Sequence, residues 1–220
     1  MSNPARVMRM MVAVLAAAVL AALQGCEVAG FVLASMPPPK VEAVYELVDQ
    51  PTVILIDDPA QLMPSIQVMG LTAYRAGADL KEQEVIAEVV PSTATVELRL
   101  DEPEFVNWPI DKIGKRLGAK QVVYVLVEAF QLKDQDQMYR PAAAMRVKVV
   151  DAETGQRLFP ADRAEGHQVI SRLFFKGHES TGTAGSETVL TRKLADRMGE
   201  DVAKVFYKHA PRPVGSDFSE

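Results

Sequence analysis

The sequence predicts an α/β fold, in the broad α+β sense: a mixed sheet with parallel strands, an antiparallel hairpin at its edge and packed helices. Three observations predict it. Residues 52–56 and 121–130 are rich in continuous Val, Ile and Leu, as strands buried on both faces are. Between these runs lies a helical stripe, Leu62, Ile66, Met69, Ala73, Ala76 and Leu80, spaced by three and four. Residues 142–150 then alternate, with Met145, Val147 and Val149 on one face and Arg146 and Lys148 on the other. That is the pattern of a half-exposed antiparallel strand.

The elements follow in order. Pro51 opens the first strand, which stops at Asp57-Asp58-Pro59, where Pro59 disfavours a helical Asp58. The striped helix follows. Residues 84–90, rich in Val and Ile, are expected to be the second strand, ended by Pro91. Ser92 is placed to cap a short helix through Leu100. A second helix is expected over 108–117, with Pro109 in its first turn and Gly118 as its C-terminal cap. Residues 121–130 form the strongest strand and belong in the centre. The polar turn 133–137 leads to the alternating strand, and the loop 151–155 closes a hairpin, with Gly155 supplying positive φ. Short returns are expected at 157–160 and 167–175. A loop rich in Gly, Ser and Thr precedes a last helix, with Ser186 as its cap and Leu190, Leu194, Met198, Val202, Val205 and Phe206 as its apolar stripe.

The start of the chain has a different character. Arg6 and Arg9 precede an apolar run from Met10 to Leu23, which ends at Leu23-Gln24-Gly25-Cys26. A basic start, a short apolar run and small residues at a cut site mark a secretory signal. The ending resembles the lipobox of bacterial lipoproteins, in which a diacylglycerol is attached to the cysteine and the signal peptidase cuts just before it. Gln24 departs from the small or branched residue usual there. On this reading residues 1–25 are a lipoprotein signal peptide and Cys26 is the lipidated first residue of the mature protein. Residues 26–50 are a tether with Met36-Pro37-Pro38-Pro39 as a stiff spacer. Within it, 41–48 reads as an edge strand or a segment laid against the domain. Residues 51–209 form a periplasmic α/β domain and 210–220 a loose tail. An uncleaved anchor is the alternative, but the run is shorter than the ~20 residues a spanning helix needs. A buried core cysteine would leave the leader unexplained.

Composition narrows the function classes. The net charge is −5 and becomes −7 once residues 1–25, with Arg6 and Arg9 and no acid, are removed. No Lys/Arg cluster stands out, which argues against nucleic acid as a partner. Cys26 is the one cysteine, so the exported domain holds together by packing and not by disulfides.

Three stretches carry a family resemblance: Val53-Ile54-Leu55-Ile56-Asp57-Asp58, then Ile113-Gly114-Lys115-Arg116-Leu117-Gly118-Ala119-Lys120-Gln121-Val122-Val123-Tyr124-Val125, then Val149-Val150-Asp151-Ala152-Glu153-Thr154-Gly155-Gln156. They are similar to the periplasmic α/β domain shared by curli-secretion-type lipoproteins, penicillin-binding-protein activator lipoproteins and the amino-terminal domain of the Tol system's propeller protein. The resemblance spans about residues 52–207. It implies a non-enzymatic envelope module, anchored to the inner or outer membrane through lipid on Cys26, that assembles, scaffolds or regulates through a protein partner or through self-assembly. No cofactor or metal is implied.

The alternative is a membrane-tethered hydrolase or metal-dependent enzyme using Asp57 and Asp58 or the region of His167 and His178. Open α/β sheets bind ligands at the carboxyl ends of their strands, and an acidic pair there suits Mg²⁺. Response-regulator receivers add an aspartate on a later strand, where Glu128-Ala129-Phe130 offers a glutamate. The structural reading is a turn into the first helix. His167, His178 and His209 show no zinc-ligand spacing. Ser171 and Ser180 lie near His167 and His178 in sequence but without a nucleophile elbow, and 177–185 is glycine-rich without the lysine of a phosphate loop. Phe174 and Phe175 close the late strand, and alternation predicts that one is less buried than the other.

The leader generates the first prediction. Cys26→Ser leaves the leader uncut or releases the protein from membranes. Membrane fractionation and intact mass check it; processing at the same bond with unchanged membrane retention would refute the assignment.

Overall fold

The computed structural model describes residues 39–174 and 187–212. Cys26, His178, Ser180, Phe175 and Ser186 lie outside these residues. The α/β fold belongs to the unit Val41–Glu220.

The α/β class is as the sequence predicts. β1 (Thr52–Asp57) leads through α1 (Ile66–Glu82), α2 (Ser92–Asp101), a 3-10 turn at Phe105–Asn107 and α3 (Ile110–Arg116) to β2 (Gln121–Lys133). β3 (Tyr139–Asp151), β4 (Arg157–Phe159), β5 (His167–Arg172) and α4 (Glu187–Ala203) complete the order. β1 pairs parallel to β2, with Thr52 opposite Gln121 and Asp57 opposite Leu126. β2 pairs antiparallel to β3, and both β4 and β5 pair antiparallel to β3.

Two cores explain the two kinds of strand. Ile54, Ile56, Val123, Val125, Met145, Val147 and Val149 share one core with Met69, Ala73 and Leu80 of α1 and Leu194, Met198 and Val202 of α4. Val53, Leu55 and Val122 share the other with Leu98, Phe105 and Ile113. β1 is covered on both faces, so its apolar residues run without a break. β3 is covered on one face and therefore alternates, with Arg146 turned outward to Glu128 at 3.0 Å.

The helices α1 and α4 lie close together over the first core. A Cβ added at Gly199 would come within 2.7 Å of the Thr72 carbonyl oxygen and 2.9 Å of the Ala76 nitrogen, so this contact requires glycine. Arg75 pairs with Glu200 at 3.1 Å beside it, and the Tyr207 hydroxyl donates to Asp79 at 2.7 Å.

Several local expectations shift. α1 begins at Ile66 and not Leu62, because the Asp58 carboxylate takes the Leu62 and Met63 N–H groups at 2.9 and 2.7 Å and Ser65 caps the helix through the Val68 N–H. Residues 84–90 do not form a second strand. They make a single parallel bridge, Val89 to Thr52, before Pro91 ends the extended run and serves as the N-cap of α2 in place of Ser92. β2 and β3 run longer than expected, to Lys133 and from Tyr139, because their pairing continues across two bulges. β5 stops at Arg172. Gly118 and Gly155 both sit at φ +73°, as their turns require.

Residues 41–50, grouped with the tether by sequence, are laid against the domain. Val41 exchanges backbone hydrogen bonds with His209 at 2.7 and 3.0 Å. The Tyr45 ring stacks on Phe159 with centroids 5.0 Å apart. Gln121, fully buried, donates to the Val48 carbonyl at 2.7 Å. Just past His209, Arg212 pairs with Asp201.

The contact at Gly199 generates the second prediction. Gly199→Ala forces α1 and α4 apart and lowers stability by about 1–3 kcal/mol, the cost of overpacking, measured by urea unfolding.

Candidate functional site

The carboxyl end of β1 is where an open α/β sheet presents ligands. A cleft of ≈ 580 Å³ lies there, lined by Asp57, Asp58, Gln61, Met63, Arg99 and Val106. β1 delivers the two acids, and α2 delivers Arg99 from across the cleft.

Each of the charged groups in the cleft has a structural partner. The Asp58 side chain is buried, and its two oxygens accept the Leu62 and Met63 N–H groups. Asp58 thereby closes the loop between β1 and α1, which is the turn reading of Asp57-Asp58-Pro59. Asp57 accepts the Tyr124 hydroxyl at 2.6 Å. Burial, followed by this hydrogen bond, pushes the Tyr124 phenol above its ordinary value. Arg99 donates to the Ile56 carbonyl at 2.9 Å and lies 4.7 Å from the centre of the Phe105 ring. Burial lowers the Arg99 pKa, against the opposing pull of Asp57 and Asp58. Glu128, the third acid weighed for a metal site, is bound by Arg146 Nε through both its oxygens at 3.0 and 3.1 Å.

The histidine and serine candidates separate as well. His167 and Ser171 lie on one face of β5, four residues apart. At ~3.3 Å per residue that is about 13 Å, far beyond the reach of a nucleophile and its base. Ser171 is fully buried and donates to Asp201 on α4 at 2.9 Å. His167 packs on Phe159 with centroids 5.6 Å apart. Burial, with Arg163 as a lesser cause, depresses the His167 pKa. Among the described residues, no three His, Cys, Asp or Glu side chains are grouped to hold a metal ion, and no helix is long and apolar enough to cross a membrane.

A second region presents apolar side chains to solvent. β5 pairs with β3 along its length, with Ile170 opposite Ala144 and Arg172 opposite Ala142. Val169 and Ser171 face the core, while Gln168, Ile170 and Arg172 face outward. Ile170 is 52% exposed and Phe174, just past the strand, 51%. Leu173 between them is buried and donates its N–H to the Pro141 carbonyl at 3.0 Å. Of the two phenylalanines weighed from sequence, Phe174 is thus half-exposed, and Phe175 lies outside the described residues. Alternation signalled an exposed side chain here; the exposure of Ile170 depends on which face of β3 the helices leave uncovered.

No protein family and no curated protein matches the chain by sequence. Solved structures offer distant likenesses. The PelC dodecamer from Paraburkholderia phytofirmans is 11% identical, over 76% of this chain and 95% of that one, with TM-score 0.38. Lipoprotein GNA1162 from Neisseria meningitidis is 14% identical, over 64% and 88%, with TM-score 0.38. The hypothetical protein CT253 from Chlamydia trachomatis is 13% identical, over 70% and 98%, with TM-score 0.35. Likenesses at this level carry no conclusion about what the chain does.

The acid pair generates the third prediction. Asp58→Ala leaves two loop N–H groups without their acceptor and lowers stability by about 2 kcal/mol, while millimolar Mg²⁺ leaves the melting midpoint of the unaltered protein unchanged. Urea unfolding and calorimetry check both; a Mg²⁺-dependent rise of the midpoint would restore the metal reading.

Proposed function

We propose that this protein is a lipid-anchored envelope protein that works through protein contacts, without catalysis of its own. The envelope location rests on the leader and on lipid at Cys26. The observation that carries the mode of action is the outward row of β5, which continues to Phe174. It combines two half-exposed apolar side chains with Gln168 and Arg172 on a strand whose other face is anchored in the core. A firmly seated strand with a mixed apolar and polar outer row suits a partner strand or a helix. The described acids, histidine and serine weighed for catalysis are engaged in holding the fold, which favours binding over chemistry.

A site-specific photo-crosslinker tests this in the native envelope. Placed at Ile170 or Phe174 it traps a defined protein adduct. Placed at Leu100 on α2 or Val106 in the 3-10 turn, which are 69% and 79% exposed, it traps none. The adduct mass separates a second copy of the chain from another protein. Phe174→Ser changes stability by no more than about 0.5 kcal/mol and weakens the adduct at position 170. Equal adducts at all four positions, or none at 170 and 174, would refute the reading.

A further inference from the structure

The chain that enters the domain is fastened from one side only. Residues 41–50 belong to no helix or strand, and none of them is buried. Among the described residues, the main-chain hydrogen bonds of 41–47 all go to residues 205–209. Val41 and His209 exchange both of theirs, and the Val44 and Tyr45 N–H groups share the Val205 carbonyl at 2.8 and 3.2 Å. Glu42 pairs with Lys208. The Tyr45 ring lies on Phe159 and edge-on to Phe206, with centroids 5.0 and 6.5 Å away.

The surface beneath holds itself in place. Val205 and Phe206 are buried, and their N–H groups donate to the Val202 and Ala203 carbonyls at 3.3 and 2.9 Å. Tyr207 is held by Asp79, and Phe159 pairs with Val149 in the sheet. None of these bonds involves residues 41–47. From Val48 onward the entering chain is pinned. Its carbonyl accepts from the buried Gln121 amide, and the Asp49 carboxylate accepts the Ala87 N–H at 2.8 Å. β1 follows at Thr52. A weakly held stretch and a firmly held one therefore meet at Val48. Segments with few buried contacts and solvent-exposed backbone bonds open locally, at less cost than unfolding the domain.

We propose that residues 41–47 are a releasable strap, which opens as one unit about a pivot at Val48 while the rest of the domain stays folded. Closed, it covers Phe159 and Phe206 with Tyr45. Open, it uncovers both rings and lengthens the chain leading back to Cys26 by about 24 Å at full extension. That gain in reach rests on lipid at Cys26. The strap itself rests on the contacts above and is independent of what binds β5.

Native-state hydrogen exchange on the full-length protein, with and without sub-denaturing urea, tests the strap. The Val44 and Tyr45 amides share one opening equilibrium and exchange about 100-fold faster than those of Val123 and Val125. Urea barely changes it, because little surface is exposed, whereas Val123 and Val125 follow global unfolding. Val41→Pro deletes the donor to His209. It speeds exchange at Val44 and Tyr45 by about fivefold to tenfold, the weight of one hydrogen bond, and leaves Val123 and Val125 unchanged. Exchange at Val44 and Tyr45 as slow and as urea-dependent as at Val123 would make the stretch inseparable from the fold and overturn the proposal. Unequal opening at the two amides, or no response to Val41→Pro, would overturn it as well.

Discussion

The parallel pairing of β1 with β2 is the constraint on which the rest of the structure depends. Parallel strands need cover on both faces, and this chain supplies it from opposite directions. α1 and α4 cover one face, while α2, the 3-10 turn and α3 cover the other over β1 and the start of β2. Gly199 and Gly114 show how tight this cover is. A Cβ at Gly114 would lie 2.7 Å from Val122 and 2.8 Å from Ala152. β2 also reaches outside the sheet: Gln121, at its start, binds both Val48 and Thr52. That one amide links the entering chain, the first strand and the central strand.

The two edges of the sheet are managed differently, and this gives the domain its polarity. At β1, a short extended segment, an arginine and a helix occupy the edge. At the other side β5 is anchored inward by Val169, Ser171 and Leu173 and carries exposed Ile170. Edge strands left available are pairing surfaces.

The acids at the end of β1 show how placement and chemistry come apart. The position is the one an α/β sheet offers to ligands, yet Asp58 commits both oxygens to the loop that starts α1 and Asp57 is held by Tyr124. A carboxylate that already accepts two backbone N–H groups would have to give them up to coordinate a cation. That cost is local to the fold, and no spacing in the sequence reveals it.

Periodicity by itself determined the element types, because burial on one face or two leaves a repeat of two, a repeat of 3.6 or an unbroken run in neighbouring residues. The runs in β1 and β2, the alternation of Met145, Val147 and Val149, the stripe of α4 and the glycines at 118 and 155 were all legible for that reason. The turn role of Asp57-Asp58-Pro59 was legible too, since proline acts on the residue before it. What tertiary structure decided were the pairings between residues far apart in sequence. Val89 meets Thr52 for one bridge and no strand forms, residues 41–50 lie on the domain through Gln121 and Phe159, and Ser171 turns to Asp201. Each depends on which surfaces the helices had already taken, and that is a property of the packed chain and not of any local stretch of it.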